Sequence, residues 1–118
     1  MSAKQLGIHD DSLVPGLQTI ADTIREAGSL SAVQLTHAGA NTTAEICGCQ
    51  PVAPSTVPVP NRDIVPRELS TADIDTLVAA FRAGARRARE AGFDAIEIHG
   101  AHGFLLSQFV SPFTNQRT

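Results

Sequence analysis

The chain has 118 residues, 42% apolar and 18% charged, with a formal net charge of −3. That length suits one small domain at most, and the mixture is that of a globular rather than a disordered chain. Nine Lys and Arg against twelve Asp and Glu leave no concentrated basic face for phosphates, which argues against nucleic acid as a partner.

No apolar run approaches the ~20 residues needed to cross a bilayer, so no membrane partner is expected. The opening Met1-Ser2-Ala3-Lys4-Gln5-Leu6 lacks the apolar core of a signal peptide. Cys47 and Cys49 stand one residue apart, an awkward spacing for a disulfide, and make no case for an oxidising compartment. A cytoplasmic location is the expectation.

In chain order, Asp10-Asp11-Ser12 offers capping oxygens just before Leu13 and Pro15. Leu13, Leu17, Ile20, Ala21 and Ile24 then recur at helical steps, and Gly28 can end the helix, so the spacing predicts a helix over 13–27. Residues 30–35 form a short apolar run that reads as a buried strand. Gln34 is out of place there, because a buried amide must satisfy backbone or meet a ligand. Residues 36–69 hold Pro51, Pro54, Pro58, Pro60 and Pro66 and little periodicity. A stretch of that kind reads as an ordered, functional excursion over one face, with room for a hairpin that the prolines limit.

Ser70 opens the strongest helix, with Asp73 placed for a reciprocal cap. Ile74, Leu77, Val78, Phe81, Ala85 and Ala88 make its apolar stripe, and Gly92 ends it. Asp75, Arg82, Arg86 and Arg89 take the other side, and the cluster of Arg82, Arg86, Arg87 and Arg89 reads as a solvated face. A second strand over 95–98 follows at once, then a short helix over 104–110. Two strands joined through a crossover helix should lie parallel and end on the same side. Gln34 and His37 then leave the first strand where His99 and His102 leave the second, so the odd polar residues converge on one rim.

His99 and His102 are either two satisfied loop histidines or two N–H donors aimed at one anion or carbonyl oxygen, where they would stabilise developing charge. His9 carries no expected role. Zinc binding by His37, His99, His102, Cys47 and Cys49 is a rival, weakened by the cysteine spacing and by the lack of a completing carboxylate. No strained nucleophile turn and no glycine-rich phosphate loop are present.

Several motifs stand in register: Gln34-Leu35-Thr36-His37-Ala38-Gly39, Pro54-Ser55, Ala91-Gly92-Phe93-Asp94, Glu97-Ile98-His99-Gly100-Ala101-His102-Gly103-Phe104-Leu105-Leu106, Gln108-Phe109, Ser111-Pro112 and Asn115-Gln116-Arg117. In their order and spacing they resemble the Old Yellow Enzyme family of FMN-dependent NAD(P)H oxidoreductases, from about Gln5 onward. The resemblance implies an α/β fold, a (βα)8 TIM barrel with FMN at the C-terminal mouth of the strands. It implies that Gln34 hydrogen-bonds the flavin pyrimidine and that His99 and His102 bind the oxygen of the substrate's activating group. It also implies the chemistry, hydride transfer from NAD(P)H to FMN and from flavin N5 to the β-carbon of an activated alkene, a small-molecule substrate.

Two positions depart from the family pattern. Phe104 stands where many members carry the tyrosine that protonates the α-carbon, and phenylalanine cannot donate. Ala40 stands where an arginine often follows the His-Ala-Gly run. Length departs too, since a barrel needs roughly 200 residues or more and this chain supplies about two βα units, placed by the resemblance around the third and fourth strands. The later strands, which hold the FMN phosphate in this family, are not in it. Residues 1–118 are therefore expected to be a partial FMN-binding barrel domain, a fragment that is marginally stable and inactive alone. The alternatives are a non-catalytic half-barrel module that needs a complementary chain, and a small zinc-binding protein. A complementary barrel fragment and a homo-oligomer are the candidate assemblies.

Overall fold

The computed structural model describes residues 5–60 and 63–118. They fall into two compact units. One, the strand unit, holds Leu6–Leu35 and Asp75–Ile98; the other, the loop unit, holds Thr36–Ile74 and His99–Thr118.

In the strand unit, Asp10 caps a 3₁₀ turn over Asp11–Leu13 by accepting the Ser12 N–H at 2.9 Å. Helix α1 (Val14–Glu26) follows with Pro15 in its first turn and buries Leu17 and Ala21. Strand β1 (Ala32–Leu35) pairs in parallel with β4 (Ala95–Ile98), in the register Ala32–Ala95 to Leu35–Ile98. Between them in sequence runs helix α3 (Thr71–Glu90). Both helices end alike: Gly28 and Gly92 take φ of 80° and 85°. The next residue, Ser29 or Phe93, donates to the carbonyl five positions back, Ile24 or Ala88. That left-handed closure satisfies carbonyls the helix leaves open, and glycine adopts it without a Cβ penalty. Arg25 then donates to the Gly92 carbonyl at 2.7 Å, tying one helix end to the other.

The two strands start from one knot. Asp94 accepts the Ser31 N–H at 2.8 Å and its hydroxyl at 3.1 Å, while the Ser31 carbonyl accepts the N–H groups of Asp94 and Ala95. These bonds hold the Asp94 carboxyl below the usual carboxylate range. Leu35, 3% exposed, lies against Gly84 of α3.

The strand reading is right in direction and too generous in burial. Leu30 is 86% exposed and lies outside β1, Gln34 is exposed, and all four residues of β4 are exposed. A pair of strands has no neighbouring strands to cover its faces and edges. Helix α3 shows the same shortfall: Gly84 and Ala88 are buried while Val78 is 54% exposed. The arginine cluster is only partly a solvated face. Arg86 pairs at the surface with Asp11 and Glu90, but the Arg87 side chain is 13% exposed and bonds Asp11 and the Ile8 carbonyl.

The loop unit contains helix α2 (Ala44–Cys47), strands β2 (Val52–Ala53) and β3 (Arg67–Glu68), and helix α4 (Leu105–Val110). The proline-rich stretch is an ordered excursion, with Pro54 and Pro66 fully buried. Its two strands pair in parallel rather than as a hairpin; residues 54–66 between them supply the dozen or so that a parallel connection needs. Arg117 fastens the stretch from the far end of the chain, donating to the carbonyls of Pro54 and Leu69 and to Glu68. The expected capping box is present: the Asp73 N–H donates to Ser70 Oγ at 3.1 Å and the Ser70 N–H to Asp73 Oδ2 at 2.9 Å. Arg67 at 2.7 Å, with those bonds, holds the Asp73 carboxyl far below its usual range.

Gly84 generates a test of this packing. A Cβ there would meet Leu35 at 3.6 and 3.7 Å and Ile8 at 3.8 Å, which is ordinary contact. Glycine inside a helix costs about 1 kcal/mol relative to alanine. Gly84→Ala is therefore expected to stabilise the chain by about that amount, read as a higher urea midpoint. A lower midpoint would show α3 lying closer to β1 than these distances allow.

Candidate functional site

Alternation along β1 settles where Gln34 points. Leu35 packs on Gly84, so Gln34 stands on the opposite face of the pair, beside its register partner Glu97. Ala32, Gln34, Ala95 and Glu97 line that face, and all four are exposed. The Gln34 side-chain amide has no hydrogen-bond partner among the described residues. The expectation of a buried amide is corrected: this one is open, with donor and acceptor both free.

His99 follows β4 directly and opens the loop unit. It is 7% exposed, and Phe104 meets its ring edge-on, at 5.1 Å between centroids and 65° between planes. His102 Nδ1 lies 3.4 Å from His99 Nε2. His102 itself has φ of 56°, and Gly103 next to it 69°. A left-handed conformation is uncommon for a residue with a side chain, although histidine tolerates it better than most. The turn spends that strain to bring one imidazole nitrogen to the other. An oxygen at an ordinary hydrogen-bond distance of about 2.9 Å from each nitrogen would complete a narrow triangle. The two rings can serve it together if His99 carries its proton on Nε2 and His102 on Nδ1.

Two amides hold this turn. The Gly103 carbonyl accepts from Gln108 Nε2 at 2.7 Å and from Asn41 Nδ2 at 2.8 Å. Gln108, 5% exposed, also accepts the Ala40 N–H at 3.1 Å, and its own carbonyl accepts Thr114 Oγ1. Gly39 makes room for it, since a Cβ there would collide with the Gln108 side-chain amide. The sequence signal for Gln108 was its position three residues after Leu105, which places it on the buried face of α4. Asn41 had no such signal.

His37 belongs to the same unit in a supporting position. Its Nδ1 accepts the Gly39 N–H at 3.0 Å and its carbonyl accepts the Leu105 N–H at 3.0 Å, at the start of α4. Burial pushes its pKa down, so the ring is kept as a neutral acceptor. A cavity of about 310 Å³ in this unit is lined by Ala53, Ser55, Val57, Ser107 and Phe113 among others, and neither His99 nor His102 lines it. Among the described residues, no three His, Cys, Asp or Glu side chains come together as metal ligands.

The sequence model of the NADH:flavin oxidoreductase / NADH oxidase family matches residues 1–118, the whole chain. The chain belongs to this family. It is 45% identical over 117 residues to an NADPH dehydrogenase of Geobacillus sp. and 44% identical to one of Bacillus licheniformis. In both cases 99% of this chain aligns with 34% of the relative, so it spans about a third of the length of the relatives it matches. Among solved structures, it resembles an Old Yellow Enzyme homologue from Zymomonas mobilis with a TM-score of 0.88 and 35% identity, over 94% of this chain and 34% of that one. It resembles morphinone reductase in complex with tetrahydroNAD with a TM-score of 0.90 and 32% identity, over 95% and 36%. The family fold expected from the motifs is thus the observed one: an α/β chain with parallel strands that fits about a third of an Old Yellow Enzyme barrel.

Within this family member, His37 yields a pH prediction. A histidine whose folded pKa is lowered contributes stability above the ordinary value of about 6.5, and that contribution is lost as pH falls through the lower folded value. His37→Asn keeps an acceptor for the Gly39 N–H and does not titrate. The stability advantage of the native chain over this variant is expected to shrink as pH falls below about 6.5, measured by urea unfolding across pH. A constant difference would count against a buried neutral His37.

Proposed function

We propose that this chain carries part of the active site of an FMN-dependent NAD(P)H oxidoreductase of the ene-reductase type, acting on activated C=C bonds. Membership of the flavin oxidoreductase family and likeness to NADPH dehydrogenases and an Old Yellow Enzyme homologue support the class of reaction. The observation that carries the role of the site is the pair of ring nitrogens 3.4 Å apart at a strained turn.

In this reading His99 and His102 each donate an N–H to the carbonyl oxygen of the substrate. As hydride reaches the β-carbon, negative charge moves onto that oxygen, and two fixed donors stabilise it there more than they stabilise the neutral carbonyl. Phe104 holds the His99 ring from the side but has no proton to give, so the α-carbon takes its proton from solvent or another group. Gln34 fits a flavin. Its free amide, on the exposed face of β1, offers the adjacent donor and acceptor that a pyrimidine-dione edge requires. FMN, when bound, supplies the hydride chemistry; the chain supplies orientation and charge stabilisation.

Turnover by the 118 residues alone is not part of this reading. Ile96 and Ile98 are 39% and 51% exposed on a two-stranded sheet, and a barrel seats its flavin across many strands. The complementary barrel portion is the assembly partner this favours. A chimera tests it: this chain replaces the matching third of the Geobacillus NADPH dehydrogenase, and NADPH-driven reduction of a cyclic unsaturated ketone is followed. The chimera is expected to bind FMN and turn over. His99→Ala and His102→Ala are each expected to lower kcat/KM by about 10²-fold or more with FMN retained. A flavin-loaded chimera indifferent to both substitutions would refute the clamp.

A further inference from the structure

Cys47 and Cys49 take no part in the proposed site, yet the fold brings them together. Helix α2 is a single turn that ends at Cys47, and Gly48 closes it with φ of 74° and an N–H bond to the Ala44 carbonyl at 2.8 Å. That left-handed residue turns the chain back, so the two sulfurs stand 4.0 Å apart, both exposed. Cys47 Sγ lies 3.1 Å from the Thr43 carbonyl and 3.0 Å from the Cys49 carbonyl. We propose that Cys47 and Cys49 form a thiol–disulfide exchange site, oxidised by low-molecular-weight disulfides to an intraloop 47–49 bond and returned to two thiols by excess monothiol.

The sulfurs must close from 4.0 Å to about 2.05 Å, which side-chain rotation at an exposed turn can supply. A ring spanning one intervening residue is strained, and strained, exposed disulfides are the labile and regulatory ones. The spacing that suits a structural disulfide poorly therefore suits a reversible one. The contact also assigns the order of attack. Cys49 Sγ is the donor toward Cys47 Sγ in this contact, and that hydrogen bond pushes the Cys49 thiol up, which makes Cys49 the second sulfur to react. The Cys47 thiolate attacks one sulfur of the small disulfide, forming a mixed disulfide and releasing one thiolate, which takes up a proton. Cys49 then loses its proton and attacks the Cys47 sulfur, forming the 47–49 bond and expelling the second thiolate. The two cysteines give up two electrons and two protons, and the small disulfide becomes two thiols.

The test uses the full chain with glutathione disulfide, read by intact mass and thiol titration. The expected product has lost both thiols and two hydrogens, carries no glutathione, and regains both thiols in excess reduced glutathione. Cys49→Ser is expected to stop at a stable glutathione adduct on Cys47. Gly48→Ala, whose Cβ would meet nothing within 4 Å but would strain the left-handed turn, is expected to slow ring closure several-fold. A native chain that ends as a glutathione adduct or a linked dimer, or that stays reduced, overturns the proposal. So does a 47–49 bond that resists reduced glutathione, or a Gly48→Ala chain that closes as fast as the native one.

Discussion

The parallel register of β1 and β4 is the constraint on which the rest depends. It is set at one end by Asp94 gripping Ser31 and runs without slip to Leu35 opposite Ile98. Because side chains alternate along a strand, a one-residue slip would exchange the face that packs on α3 for the face that carries Gln34. Leu35 would leave Gly84, and Gln34 would turn toward the helix. The knot at Ser31 thus decides which strand residues are scaffold and which are presented.

Beyond β4, the determining contacts change kind. The strands are organised by backbone ladders, whereas the His102–Gly103 turn is organised by two side-chain amides, of which Gln108 is buried. Gln108 and Asn41 converge on one carbonyl oxygen, Gly103, and Gly39 is small enough to let Gln108 in. Fully satisfied polar networks of this type specify one arrangement, because each unmade bond would leave a buried group without a partner. That rigidity is what a strained histidine needs if its ring nitrogen is to stay beside that of His99. Phe104 adds an apolar wall to His99, and its ring carries no hydroxyl that could donate a proton.

Much of this was legible in the sequence. Helical periodicity gave α1 and α3, the Ser70–Asp73 pair gave the cap, and a strand–helix–strand order gave a parallel pair ending on one side. Gln34 stood out as an amide inside an apolar strand, and His99 and His102 as two histidines at a strand end and the turn after it. What stayed hidden was set by contacts distant in sequence. Gln34 read as buried because a short apolar strand is normally covered on both faces; two strands cannot provide that cover. Arg87 read as solvated because helix spacing does not reveal that the segment around Ile8 and Asp11 returns to it. The parallel pairing of β2 and β3, and the grip of Arg117 on Pro54 and Leu69, close loops that no local pattern marks. Gln108 stood in a motif, but its bonds to Gly103 and Ala40 are contacts that no local pattern marks.

The proposed clamp requires two imidazoles to donate to one oxygen. Its most direct measurement is the nitrogen-15 NMR spectrum of the two rings in the flavin-loaded chimera, with a cyclic unsaturated ketone bound. A working clamp has hydrogen on both His99 Nε2 and His102 Nδ1, and both resonances are expected to move on binding the ketone. If either nitrogen is unprotonated in that complex, the two rings are bonded to each other rather than to substrate, and the clamp does not exist.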